Sequence, residues 1–284
     1  MSNIKFIVDS TSSIPLDYAK EKDIDIIPIC FSIDDVDYNP LDMKVSKEEF
    51  FDALNKKVKV RTNSAAPDTF INIFEKYTDQ GIPVIFIGLS SGLTGGYGNS
   101  LMAKAMVEEK NPNAQVECID SRSGSIGELL ILEKAMELAE QGLGVHEIKE
   151  QMAPYINRAG SYFTIGSLYH LYKGGRLSAG KLAIGALLRL KPIVYADAEG
   201  KLASIENEFG KKRALSTMVK IMAEKIDGNR LFLAYTDNED EGERFKQQLL
   251  EAKPDLNITY LPIDYTMCCH CGPGTLAMFF FEKE

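Results

Sequence analysis

The sequence predicts an α/β protein of two domains. The N-terminal domain, residues 1–159, is an α/β/α unit with a mostly parallel sheet, and the C-terminal domain, residues 160–284, is α+β. Three observations lead to this prediction. Short apolar runs alternate with helical segments through the first half, hydroxyl-rich turns follow several of these runs, and the alternation changes near Gly160. With 284 residues and 45% hydrophobic content, the chain can fill two cores.

The first domain is predicted as strands that alternate with helices. Pro15 marks a helix start, and Ser46 with Glu49 has the form of a capping box. The predicted strands are Ile4–Val8, Ile24–Phe31, Val84–Leu89 and Gln115–Ile119. The predicted helices after Pro15 are Ser46–Lys57, Asp68–Thr78, Asn99–Val107, Gly127–Gln141 and Val145–Arg158. This order predicts a ligand at the carboxyl ends of the strands.

The turn between Val84–Leu89 and Asn99–Val107 is the most informative stretch of this domain. It combines the hydroxyls of Ser90, Ser91 and Thr94 with four glycines, and it contains neither Lys nor His. A carboxylate or phosphate held by neutral donors is therefore its expected ligand. Similar polar turns at residues 9–13 and 120–125 should meet it on one edge of the sheet.

The second domain has a different order of elements. The segment Ser167–Leu190 reads as two apolar helical pieces that flank Gly174-Gly175-Arg176. The predicted strands are Lys191–Ala196, Lys201–Glu208, Leu231–Tyr235, Ile258–Ile263 and Leu276–Glu282. The predicted helices are Lys211–Ile226 and Asp240–Ala252.

Composition excludes several classes of function. A formal net charge of -9 and a pI near 5.1 disfavour nucleic-acid or anionic-membrane partners. No apolar run approaches the roughly 20 residues of a spanning helix, and no signal peptide is evident, so we expect a cytoplasmic protein without integral membrane association. The five cysteines are an odd number without secretory context, which predicts free thiols.

A serine hydrolase is one interpretation of the chemistry. Gly88-Leu89-Ser90-Ser91-Gly92 matches G-x-S-x-G, and His270 follows late in the chain, as in an α/β-hydrolase. The glycines that come after Ser90 disfavour the helix of a nucleophile elbow, each by roughly 1 kcal/mol. No oxyanion segment of the H-G-G-G type is present.

A metal cluster is a second interpretation. Cys268-Cys269-His270-Cys271 offers thiolates and an imidazole, which suit zinc, but adjacent cysteines point in different directions and no separated second pair is evident. Small residues packed in a turn before Gly272 are the simpler explanation. We therefore expect neither a metal nor an organic cofactor.

A third interpretation comes from eight short motifs spread over essentially the full chain. They are Val8-Asp9-Ser10-Thr11, the loop Thr62–Pro67, Ser90–Gly95, Ile119-Asp120-Ser121, Lys173–Leu177, Leu190–Ile193, Gly210–Arg213 and His270–Thr275. Together, in this order, they resemble the DegV family. That resemblance implies a two-domain fold that binds a long-chain fatty acid between or beneath the domains. It also implies a partner, a separate ATP-dependent kinase subunit similar to dihydroxyacetone kinase, to which the carboxyl group is presented.

The resemblance also assigns candidate residues. Thr62 and Thr94 match the family's carboxylate-binding positions, and Ser91 and Gly95 belong to the same turn as Thr94. Arg213 and His270 match positions that border the carboxyl end of the tunnel. Arg176 and Arg213 are candidate contacts for an acyl phosphate or for the kinase, because guanidinium groups favour phosphate. The protein itself is expected not to be an enzyme, because it has no P-loop or kinase signature.

Each of these residues has a simpler explanation as well. Thr62 could cap a helix, Thr94 could be a turn hydroxyl, Arg213 a surface cation and His270 a turn histidine. The loop after Thr62 also lacks the family's usual proline and second hydroxyl. The chain length of the ligand, or even its class, could therefore differ, and a binding protein for another amphiphile stays open.

Overall fold

A parallel four-stranded sheet forms the centre of the N-terminal half in a computed structural model, which describes residues 4–176 and 190–284. The strand order is β2–β1–β6–β7, and all neighbours are parallel. These strands are β1 (Lys5–Asp9), β2 (Asp25–Ile27), β6 (Val84–Gly88) and β7 (Val116–Asp120). Nearly every residue of β1, β6 and β7 is buried, because helices cover both faces of the sheet. The predicted α/β class is confirmed.

The helices of this half begin close to their predicted positions. The capping box of Ser46 and Glu49 is present, and Pro67 occupies the first turn of its helix. The helices are α1 (Leu16–Glu21), α2 (Lys47–Asn55), α3 (Pro67–Thr78), α4 (Gly96–Lys110), α5 (Ile126–Glu140) and α6 (Val145–Asn157). A short 3-10 helix, Ser10–Ser12, follows β1.

The prediction of one strand over Ile24–Phe31 was wrong. Pro28 interrupts this run after β2, because a proline cannot donate a hydrogen bond to a sheet. Phe31 instead begins a strand of a separate three-stranded antiparallel sheet with the order β4–β3–β5. Its strands are β3 (Phe31–Ile33), β4 (Val36–Tyr38) and β5 (Val60–Thr62).

A six-stranded sheet forms the centre of the C-terminal half. The order is β10–β9–β8–β13–β11–β12, and every pair is antiparallel except β11 with β12. The strands are β8 (Ala159–Thr164), β9 (Leu190–Ala196), β10 (Leu202–Phe209), β11 (Arg230–Tyr235), β12 (Asn257–Pro262) and β13 (Leu276–Phe281). The helices are α7 (Tyr169–Lys173), α8 (Lys211–Lys225), α9 (Glu239–Ala252) and α10 (Tyr265–Cys271).

Helix α10 replaces the packed turn expected around Cys268–Cys271, and Asp264 caps it by accepting hydrogen bonds from Thr266 and Met267 N–H. The second apolar helical piece expected before Leu190 lies outside the described residues, whereas α7 forms part of the first. Among the helices described, none combines the length and apolar composition needed to cross a bilayer.

Helix α5 lies between the two larger sheets. It contacts β6 of the parallel sheet and β8, β11 and β13 of the six-stranded sheet. One hydrophobic core therefore joins residues of both halves, such as Ile87 with Phe279. Because this core crosses the predicted boundary between residues 159 and 160, the division into two domains stays a prediction.

Candidate ligand-binding site

Three polar turns meet at the carboxyl ends of β1, β6 and β7, as the sequence predicts. The carboxylate of Asp9 at the end of β1 accepts hydrogen bonds from Thr11 N–H at 2.9 Å and from Leu89 N–H at 3.1 Å. Ser90 N–H donates to the carbonyl of Ser123 in the turn after β7, at 2.9 Å. These bonds hold the turns against one another.

The hairpin between β9 and β10 packs onto this edge from the other half of the chain. Ser90 is fully buried, and its hydroxyl donates to the carbonyl of Gly200 at 2.8 Å. Gly200 has a φ of +71°, and a Cβ there would collide with the Ser90 hydroxyl. A Cβ at Gly92 would lie 2.8 Å from the hairpin backbone. Glycine at both positions therefore allows the two halves to close.

A cavity with about 920 Å³ of empty space, including its open side, lies between this edge and the six-stranded sheet. Much of its wall is apolar, and both halves of the chain contribute to it, the C-terminal half more than the N-terminal half. The apolar lining residues are Ile29, Leu89, Leu93, Phe163, Leu171, Ala196, Leu202, Ile263, Met267, Ala277 and Phe279.

Polar side chains gather on one part of the wall, here called the polar patch: Thr62, Asn63, Ser64, Thr94, Arg176 and His270. Thr62 Oγ1 lies 2.9 Å from His270 Nε2, and Ser64 Oγ lies 3.0 Å from Thr94 Oγ1. Gly96 N–H donates to Thr94 Oγ1 at 3.2 Å. Residues distant in sequence thus form two hydrogen-bonded pairs on this surface.

His270 is neutral in this environment. Burial, reinforced by the positive charge of Arg176 and by His170, lowers its pKa to about 4. Its Nδ1 atom is buried and has no hydrogen-bond partner among the described residues. The ring packs against Gly174, where a Cβ would collide with it. The imidazole is therefore held rigidly with Nε2 towards Thr62.

Arg176 brings a positive charge to the polar patch. Its Nε donates to the carbonyl of Leu93 at 3.1 Å, and its Nη1 donates to the carbonyl of Gly174 at 2.5 Å. Among the Asp and Glu side chains that the structure describes, none forms an ion pair with it. Burial lowers its pKa, so the charge is partly desolvated. An anion would satisfy this guanidinium.

Comparison with known proteins decides the family. A model of the DegV family, described as uncharacterised proteins, matches residues 3–283. The chain belongs to the DegV family. The resemblance found in the sequence motifs is thereby confirmed. The DegV domain-containing protein CPE0026 of Clostridium perfringens is 30% identical over 284 residues, covering 97% of each chain.

Solved structures of DegV proteins share this fold. A family member from Ruminococcus gnavus, solved with vaccenic acid, has a TM-score of 0.88 at 24% identity over 98% of this chain and 100% of its own. The Fatty Acid Kinase (Fak) B3 protein of Streptococcus pneumoniae, loaded with linoleic acid, has a TM-score of 0.84 at 20% identity, covering 99% of both chains. At these identities the likeness establishes the fold of this DegV protein.

Four of the seven site residues expected in this DegV protein line the cavity: Thr62, Thr94, Arg176 and His270. Thr62 is not a helix cap, because Ala66 occupies that position before α3. The hydroxyl of Thr94 does also serve the turn, by accepting from Gly96 N–H. The carboxylate-binding roles themselves stay predictions.

The other three expected residues lie outside the cavity lining. The exposed Ser91 donates its hydroxyl to Asp120 Oδ2 at 2.5 Å, which satisfies it locally. Gly95 is exposed at the start of α4, and Arg213 is exposed in the first turn of α8. Sequence adjacency placed Ser91 and Gly95 with Thr94, but the turn directs them away from the cavity.

Sequence reasoning missed several lining residues. Ser64 is one of them, and its only signal was its place two residues after Thr62. Ala277 and Phe279 are others, and the period-two spacing of a strand could have placed them together on one face of β13. Which face meets the cavity depends on the pairing of β13 with β8.

The alternative chemistries find no support in this geometry. Ser90 bonds to a carbonyl rather than to His270, which instead faces Thr62, so a Ser–His pair is not formed. All five cysteines are free. Burial raises the pKa of the Cys268 and Cys269 thiols well above the usual value, as expected for packed, unreactive groups. Within residues 4–176 and 190–284 no cluster of side chains could hold a metal ion.

Proposed function

We propose that this protein binds a long-chain fatty acid in the cavity and presents its carboxylate to a separate ATP-dependent kinase subunit. The observation that carries the proposal is the guanidinium of Arg176, which faces a largely apolar cavity and whose described hydrogen bonds go to backbone carbonyls. An amphiphile with one acidic head and an apolar tail complements that arrangement. The fatty acids in the two related structures described above are ligands of this chemistry.

The apolar wall would supply most of the affinity. Burial of a methylene group contributes about 0.8 kcal/mol, so a tail of fourteen to eighteen carbons would contribute roughly 11–14 kcal/mol before entropy is counted. Hydrogen bonds to a carboxylate contribute about 1.5–3 kcal/mol each. The polar patch would therefore fix the orientation of the ligand more than its retention.

The neutral His270 ring would prepare Thr62 for this role. A buried N–H without a partner is costlier than a buried acceptor, so we assign the ring hydrogen to Nε2 and leave Nδ1, packed against Gly174, as the acceptor. His270 Nε2–H then donates to Thr62 Oγ1, and the hydroxyl hydrogen of Thr62 is free for the carboxylate. Thr94 and the remaining N–H groups of Arg176 would complete the site.

Phosphorylation itself would be the work of the partner. The chain has no P-loop and no kinase signature, so ATP binding falls to the kinase subunit. We retain Arg213 as a candidate contact for that subunit, because it is exposed and lies outside the cavity. The division at residues 159 and 160 would place the cavity between two domains, each contributing part of the wall.

The first experiment is solvent extraction of the purified protein with mass spectrometry of the extract, beside native mass spectrometry of the intact protein. One fatty acid per chain is the expected result. A stoichiometric amphiphile of another class would contradict the ligand assignment. A protein that refuses added fatty acid and reacts with a fluorophosphonate at Ser90 would instead favour the hydrolase.

Presentation to the kinase has its own test. Thr94→Ala should impair acyl-phosphate formation with the kinase subunit more than it impairs fatty-acid retention, because the tail sets retention. Equal loss of both would contradict this division between head and tail.

A further inference from the structure

Glu128 is a carboxyl group in the first turn of α5 that the proposed ligand site does not use. Its side chain is 0% exposed, and its Oε2 atom has no hydrogen-bond partner among the described residues. Its Oε1 atom lies 2.9 Å from Thr11 Oγ1. The ionisable groups that act on it are acidic: Asp9 beyond Thr11, Asp264 at the start of α10 and Asp120 at the end of β7. A charge on Glu128 would therefore be both buried and repelled.

The hydrogen-bond pattern around Thr11 indicates which carboxyl group carries a proton. The hydroxyl of Thr11 has one hydrogen but contacts two carboxyl groups, Asp9 and Glu128. Burial raises the pKa of both carboxyl groups, but Asp9 also accepts N–H bonds from Thr11 and Leu89, which favour its ionised form, whereas Glu128 has no N–H donor among the described residues. The hydroxyl therefore donates to Asp9. The contact between Thr11 and Glu128 then needs a hydrogen from Glu128.

We propose that Glu128 is a neutral carboxylic acid at physiological pH that positions the wall of the ligand cavity. Glu128 donates a hydrogen bond to the hydroxyl of Thr11, and Thr11 donates to the carboxylate of Asp9. Asp9 in turn accepts a hydrogen bond from Leu89 N–H. Thr11 and Leu89 both line the cavity. Loss of the Glu128 proton at alkaline pH would leave two carboxylates, Asp9 and Glu128, in contact with the single hydroxyl of Thr11. Their repulsion would displace Thr11 and open this wall of the cavity.

The electrostatics of the site support this assignment. Burial raises the pKa of Glu128 well above its ordinary value, and the neighbouring carboxylates Asp9 and Asp264 add to the effect. Burial also raises the pKa of Asp264 to about 7. Glu133, which is also on α5, forms an ion pair with Arg230 of β11, and this pair involves no atom of Glu128. The folded protein thus holds a proton that the unfolded chain releases above a pH of about 4.3.

The matched variants are Glu128→Gln, whose amide can still donate to Thr11, and Glu128→Ala, which cannot. Near pH 7 the wild-type protein should show more infrared absorbance from protonated carboxylic acids than Glu128→Gln, in which Asp264 still contributes. Between a pH of about 4.3 and the folded pKa, the unfolding constant of the wild type should rise relative to Glu128→Gln by up to tenfold for each pH unit. Glu128→Ala should be destabilised at every pH. Identical infrared spectra and parallel pH profiles would show an ionised Glu128 and overturn the proposal.

The link to the cavity has a second measurement, which rests on the proposed function. Dissociation of bound vaccenic acid into phosphatidylcholine vesicles should accelerate from pH 7 to 10 in the wild type and stay constant in Glu128→Gln. Equal acceleration in both would refute a positioning role. A protein that binds no fatty acid but shows the infrared difference and the stability profile would refute the proposed function while keeping the proton on Glu128.

Discussion

Substitution of Arg176 by glutamine should weaken fatty-acid binding through the head group alone. A guanidinium has five N–H groups, and among the described residues the carbonyls of Leu93 and Gly174 are the partners of two of them. Three are left for a carboxylate. Loss of one charged hydrogen bond costs about 1.5–3 kcal/mol, which corresponds to an increase of about 10- to 150-fold in Kd.

The assay compares two ligands of equal tail length, a fatty acid and the corresponding fatty alcohol. The chain contains no tryptophan, so displacement of a fluorescent fatty acid is a cleaner readout than intrinsic fluorescence. Arg176→Gln should weaken binding of the acid and leave binding of the alcohol within about twofold, because the alcohol carries no charge. Arg244→Ala, an exposed arginine on α9, is the control. An unchanged affinity for the acid, or an equal loss for both ligands, would refute the role given to Arg176.

Two further predictions concern the polar patch. Gly174→Ala should displace the His270 ring and destabilise the protein by about 1–3 kcal/mol in chemical unfolding. The control Gly98→Ala should be neutral or slightly stabilising, because a Cβ at Gly98 meets open space at the start of α4. Equal effects of the two substitutions would contradict the packing at Gly174. The pKa of His270 is lowered to about 4 in the folded protein, whereas the unfolded chain binds a proton there below a pH of about 6.5. The free energy of unfolding should therefore fall by up to about 3 kcal/mol as the pH is lowered from about 6.5 to about 4. His270→Gln should flatten that part of the profile of unfolding free energy against pH, and a parallel profile would show a solvated imidazole.

The local structure of much of the chain follows from local sequence. Buried apolar runs such as Val84–Gly88 have few alternatives to a strand between helices, and the capping box at Ser46 fixes the start of α2 without help from distant residues. The hydroxyl-rich turns could be located because parallel strands place their carboxyl ends on one edge. Family motifs then named Thr62, Thr94, Arg176 and His270, all of which line one cavity.

Tertiary structure decided the features that depend on distant contacts. Whether Phe31 continues β2 or starts another sheet is settled by its pairing with Thr62, and no local pattern encodes a partner that far along the chain. Ser91 has the same hydroxyl group as Ser90, but it donates a hydrogen bond to Asp120 outside the cavity lining. The proton on Glu128 has the same origin, because desolvation and the carboxylates that face it exist only after α5, β1 and α10 have packed together. Sequence determines which groups are available, and burial decides what state they hold.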